Sequence, residues 1–157
     1  MKLTIKNKVV TLGGSSFVKN EAGEDVYAVK GRIISPMRRK FIKDMDGKTL
    51  YQVRNKWFTI LFPKAYILDA EGNKIAKVRN DGILGFRLEG YTDEITVSRG
   101  VTFTREIFKN GKKIGETKRN IDVLRDSFTL EIDDGEDIPF FVALVIAIDN
   151  IRDNSKD

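Results

Sequence analysis

The chain has no cysteine and no histidine among its 157 residues. The first absence rules out disulfides and thiolate nucleophiles, and the second removes the commonest general base and the commonest metal ligand. No phosphate loop or nucleophile elbow replaces them: "LGGSSF" has neither the GxxxxGK nor the G-x-S-x-G spacing and reads as a turn. No cofactor, no metal and no catalytic residue are expected. The opening "MKLTIKNKVV" alternates charged and apolar residues instead of presenting a long apolar segment, so it does not read as a secretory signal, and a cytoplasmic location is expected.

Long apolar runs are also missing, with one exception. "IPFFVALVIAIDNI", Ile138 to Ile151, opens with eleven residues that carry no charge and no polar group, in a chain that is 32% charged. A membrane-crossing helix needs roughly 20 apolar residues, so this run is too short. Propensity alone is divided between helix and strand, but the flanks settle it. "DDGED" precedes the run and Pro139 stands near its start, as suits a helix N-terminus, with Asp137 as the cap and Arg152 near the C-terminal end. From Phe140 to Ile148 no angle of the helix is polar, so the helix must be enclosed on all sides.

The rest of the chain is an internal repeat. "FVKNEAGEDVYAVKG", "FIKDMDGKTLYQVRN" and "YILDAEGNKIAKVRN", starting at Phe17, Phe41 and Tyr66, are joined by a shorter "IFKNGKKIGETKRN" at Ile107. Asn20, Asp44 and Asp69 each stand three residues before Gly23, Gly47 and Gly72, the spacing of a type I turn. The fourth copy presents Asn110-Gly111, the pair favoured in a type I′ turn. "DMDGKT" resembles the start of an EF-hand loop, yet the ligand spacing fails and a turn is the better reading. Counting from each glycine, plus four and plus six (Val29, Val53, Val78, Thr117) are assigned to the inward face, while plus seven (Lys30, Arg54, Arg79, Lys118) is basic and faces outward. Phe128, Leu130 and Ile132 line one side of a later strand. Trp57 and Phe58 read as barrel packing more than as a base-stacking pair.

Hairpin after hairpin with one enclosed helix predicts a mainly β fold, a closed antiparallel barrel of about 12 strands around a buried C-terminal helix over about 138–151. A helix of about 14 residues spans roughly 20 Å, close to the length of a strand of about six. One domain over 1–157 is expected.

The repeated aromatic, Asx and glycine hairpins, the "GILGFRLEG" segment and above all "FTLEIDDGEDIPFFVALVIAIDNI" resemble the LURP-one-related proteins, and the resemblance runs over nearly the whole chain. It implies the fold of the tubby C-terminal domain, shared more distantly with phospholipid scramblases: twelve strands around a buried helix. Tubby domains bind phosphoinositide head groups through basic residues, and scramblases act on phospholipids.

Charge points in the same direction. Residues 1–120 carry 25 Lys and Arg against 13 Asp and Glu, whereas residues 121–157 carry 3 against 10. The densest basic stretch, "RIISPMRRKFIK", holds Arg38, Arg39, Lys40 and Lys43, and guanidinium forks match phosphate oxygens. These four residues are the expected anionic-ligand contact of a non-enzymatic barrel that works peripherally at a membrane surface. A second cluster, Lys109, Lys112, Lys113, Lys118 and Arg119, reads as edge protection. The alternatives are a protein-interaction or structural module with an unspecified protein partner, and a nucleic-acid binder, nucleic acid being the least favoured partner.

Overall fold

A computed structural model describes residues 1–6, 15–32, 39–56, 64–100, 102–120 and 127–154. Twelve strands appear in chain order: β1 (Lys2–Lys6), β2 (Ser15–Lys19), β3 (Asp25–Arg32), β4 (Arg39–Lys43), β5 (Thr49–Lys56), β6 (Lys64–Leu68), β7 (Lys74–Asn80), β8 (Gly85–Glu89), β9 (Ile95–Ser98), β10 (Thr104–Lys109), β11 (Lys112–Asn120) and β12 (Ser127–Ile132). Each pairs antiparallel with the next, and β1 returns to β12 to close the barrel. Five residue pairs make that closure, from Lys2↔Glu131 to Lys6↔Ser127, and the N-terminal ammonium donates to the Ile132 carbonyl at 2.7 Å. Closure leaves no strand edge open to another chain.

The single helix, α1 (Ile138–Asn154), lies inside this sheet and runs three residues beyond the expected end. Every residue from Phe140 to Ile151 is buried. The enclosing wall is the inward row of each strand, including the expected Val29, Val53, Val78, Phe128, Leu130 and Ile132. Ala65 of β6 and Ala76 of β7 face in where α1 approaches the sheet closely, and small side chains there leave room for the helix backbone. Among the described residues no helix is long and apolar enough to cross a membrane.

The repeat folds as four hairpins, with a refinement that strict alternation misses. In the first three, the glycine N–H donates to the Asx carbonyl three residues back, Gly23 to Asn20, Gly47 to Asp44 and Gly72 to Asp69, at 3.0, 3.2 and 3.1 Å. All four turn glycines have positive φ, from 81° to 90°, and Asn110 joins Gly111 with φ 51°. Just past each turn the register slips by one residue, leaving Val26, Leu50, Ile75 and Ile114, the plus-three position of every copy, unpaired at a β-bulge. Alternation from an inward plus four would place plus three outside. The bulge turns it back, so that Ile114 joins the core and Val26 and Ile75 pack against it.

Asp137 caps α1: its Oδ1 accepts from the Phe140 N–H at 3.4 Å and its carbonyl from Phe141 at 3.2 Å. Tyr51 donates its hydroxyl to the same carboxylate. Phe140 is stacked by Tyr91 at 4.5 Å and met edge-on by Tyr51 at 5.7 Å, so aromatic rings close this end of the barrel.

Three outcomes follow from this packing. Leu144→Asp is expected to prevent folding, because an unpaired buried charge costs several kcal/mol against a total of about 5–15; a cooperative melt of the soluble variant would refute the enclosure. Gly23→Ala and Gly47→Ala meet no atom within 4 Å, so each should cost only the left-handed penalty of about 1 kcal/mol in urea unfolding. Burial, followed by the bond to Asp137, raises the Tyr51 hydroxyl well above its ordinary 10.0. The folded state therefore holds this proton more tightly than the unfolded chain, and the stability it contributes is full below pH 10 and lost as pH rises toward the folded value. Tyr51→Phe should flatten the fall of unfolding free energy between about pH 9 and about pH 11.

Candidate functional site

Strands β3 to β7 carry eleven Lys and Arg and one carboxylate, Asp25, which Lys19 binds at 2.6 Å. Because the inward rows hold the apolar core, most of these cations fall on the outer face. Arg39 of β4 stands between Arg32 of β3 and Arg54 of β5 in backbone register, a row of three arginine positions across three strands. Like charges directly opposite one another destabilise a sheet, so nothing in the strand pairing itself favours this row. Further along it, Tyr66 lies under Arg54 at 5.5 Å and under Lys74 at 4.5 Å. Among the described residues Lys30, Arg39, Lys43, Arg54 and Lys74 form no ion pair.

Basic residues are neutralised where β7 meets the end of β8. Glu89 binds Arg79 at 2.9 Å and Lys77 at 3.4 Å, and those bonds, that from Arg79 foremost, hold its carboxyl below the usual range. On the opposite wall Lys113 is engaged by Glu106 at 2.8 Å and Glu116 at 3.2 Å. Lys113, and Lys109 with Glu136 at 3.0 Å, are thus compensated, whereas the β3–β6 face has no such partners among the described residues.

Of the four expected contact residues, Arg39 and Lys43 lie on this outer face, on the opposite side of β4 from the buried Ile42. Lys40 shares the side of Ile42 and turns into the barrel, where its ammonium donates to Asn150 Oδ1 of α1 at 2.8 Å. Asn150 in turn donates to Asn55 Oδ1 at 3.3 Å, making a polar chain from β4 through the helix to β5. Arg38 lies outside the described residues, as do Trp57 and Phe58.

Lys40 and Asn55 belong to a wider pattern that the sequence reading passed over. The inward face is apolar through most of the barrel but turns polar at the end where α1 finishes, with Lys40, Asn55, Arg105, Thr117 and Arg119 around Asp149, Asn150 and Arg152. A signal was present: plus eight shares the inward face of plus six and is Asn55, Asn80 and Arg119 in the last three copies. Between β10, β11, β12 and α1, Arg105, Thr117, Arg119, Asp149 and Arg152 line a cavity of about 110 Å³. Among the described residues no cluster of three or more acidic, histidine or cysteine side chains could hold a metal ion.

A twelve-stranded closed barrel threaded by its own C-terminal helix, with an uncompensated basic outer face, defines the class of protein. Residues 1–149 match the LURP-one-related family model, and the chain belongs to that family. No curated protein and no solved structure matches it.

The Lys40–Asn150–Asn55 chain predicts that Asn150→Ala, which strips both neighbours of a shared partner, destabilises the fold by about 1–3 kcal/mol in urea unfolding. A variant as stable as the parent would mean that the chain is dispensable.

Proposed function

We propose that the protein is a non-enzymatic module that docks peripherally on anionic phospholipid surfaces, on the cytoplasmic side, through the outer face of β3 to β6. The observation that carries this reading is the row centred on Arg39 and Arg54, flanked by Lys30, Lys43 and Lys74, with no carboxylate paired to any of them among the described residues. Phosphate oxygens accept from guanidinium forks in pairs, and neighbouring cations reinforce the attraction. An anionic surface offsets the mutual repulsion that the sheet otherwise bears, worth about 1 kcal/mol per basic residue near such a surface. Tubby domains and scramblases, to which the family resemblance points, support the lipid reading as an analogy of fold alone. Of the four cations first expected, Arg39 and Lys43 make the contact, and Lys40 holds the strand to the helix.

Co-sedimentation with phosphatidylcholine vesicles, with and without phosphatidylserine, tests the proposal. Arg39→Glu with Arg54→Glu is expected to weaken binding to the anionic vesicles at least tenfold while changing the melting temperature little, since both side chains are half-buried on the outer face and surface charges of this kind contribute little to stability. Lys112→Glu with Lys113→Glu makes the same charge change on the compensated wall and should have a small effect. Equal losses in the two pairs would reduce the effect to net charge, and a parent protein that ignores anionic vesicles at low salt would leave a protein-interaction module in its place.

A further inference from the structure

A second concentration of cations is internal. Arg105, Arg119 and Arg152 line the barrel-end cavity together with one carboxylate, Asp149, and with Thr117. Arg105 and Thr117 are cross-strand partners on the inward side of β10 and β11. Thr117 is only 5% exposed, and its buried Oγ1 has no hydrogen-bond partner among the described residues, a state that buried hydroxyls rarely keep. The described contacts of Arg105 are the Ser98 carbonyl at 3.3 Å and the Phe86 ring at 5.0 Å, with no carboxylate among them. Burial, and then the neighbouring charge of Arg99, hold its guanidinium below the ordinary value.

We propose that this cavity is a binding site for a compact tetrahedral oxyanion of the phosphate class, with the Arg105 guanidinium as the charged donor and the Thr117 hydroxyl as the neutral one. Its size suits such a guest: about 110 Å³, where one ordered water needs roughly 10–15 Å³ on the same kind of measure, admits a compact tetrahedral anion. The lining suits it as well, because a half-buried cation beside a buried, unpartnered hydroxyl in a polar void is stabilised by an anion more than by solvent. The site is separate from the outer face of β3 to β6 and does not rest on the docking proposed there.

The shared chemistry is a phosphate, which a lipid head group or a free anion could bring. The rim keeps the lipid source open, since Phe103 at the cavity mouth is 55% exposed and Ile83, on an adjoining cleft that shares Arg105 and Arg152, is 84% exposed.

Titration calorimetry of the full chain with inorganic phosphate, alongside flotation with phosphatidylcholine vesicles containing phosphatidic acid, tests the site. Parent protein is expected to bind phosphate and to melt at a higher temperature in its presence. Thr117→Val should weaken phosphate binding several-fold while leaving the melting temperature in phosphate-free buffer unchanged or raised, because the hydroxyl it removes has no partner to lose. Arg105→Gln should weaken binding by about tenfold or more. Arg39→Glu with Arg54→Glu should leave phosphate binding untouched, which separates this site from the outer face. Loss of phosphatidic acid binding in Thr117→Val identifies the guest as a lipid head group, and its retention identifies a free phosphate. Absence of phosphate binding by the parent, together with vesicle binding that ignores Thr117→Val, would overturn the proposal. So would equal phosphate affinity of parent and Thr117→Val, a comparison that stands even if Arg105→Gln fails to fold.

Discussion

The structure depends on the enclosure of α1. A helix that is apolar on every side has no stable place in water, and twelve short strands of four to nine residues have little to bury against unless something fills the space they surround. Each supplies what the other lacks. The helix removes from water the inward row of every strand, and the closed sheet removes from water every side of the helix, so the two can only be stable together. Closure follows from the same requirement, because an open sheet would leave one side of Phe140 to Ile151 wet.

Enclosure also makes the two ends of the barrel unlike. At the N-terminal end of α1 the Asp137 cap, the Tyr51 hydroxyl and the rings of Tyr91 and Phe140 seal the interior. Toward the C-terminal end the helix carries Asp149, Asn150 and Arg152, and a sheet surrounding them must turn polar to match, since a buried polar group without a partner is costly. Lys40, Asn55, Arg105, Thr117 and Arg119 make that match, and the cavity lies where it is incomplete. The outer wall has no such constraint and is free to carry an uncompensated charge.

Much of this was legible residue by residue. The hairpins could be found because their turn chemistry is local: an Asx side chain and a glycine at positive φ act within four residues. The inward face could be found because a strand alternates with period two, and Val29, Val53 and Val78 keep that phase. The bulges at Val26, Leu50, Ile75 and Ile114 were hidden, since a bulge looks like an alternating residue until the partner strand is known. Arg54 could be assigned to the outer face, but its position beside Arg39 requires the register between β4 and β5.

By itself, the sequence determined the barrel, the enclosed helix, the turns and the basic character of the wall, because each of these follows from the periodicity or composition of a short segment. Only the tertiary structure decided which cations act together. Lys40 sits one residue from Arg39 in a run that reads as a single basic patch, yet the pleat sends it into the barrel toward Asn150, 110 positions away. Arg119, read as part of an edge-protecting cluster, and Arg105 of β10 come together with Asp149 and Arg152 at the end of the helix for the same reason. Charges separated along the chain become neighbours through strand register and helix placement, and neither is encoded in any one segment.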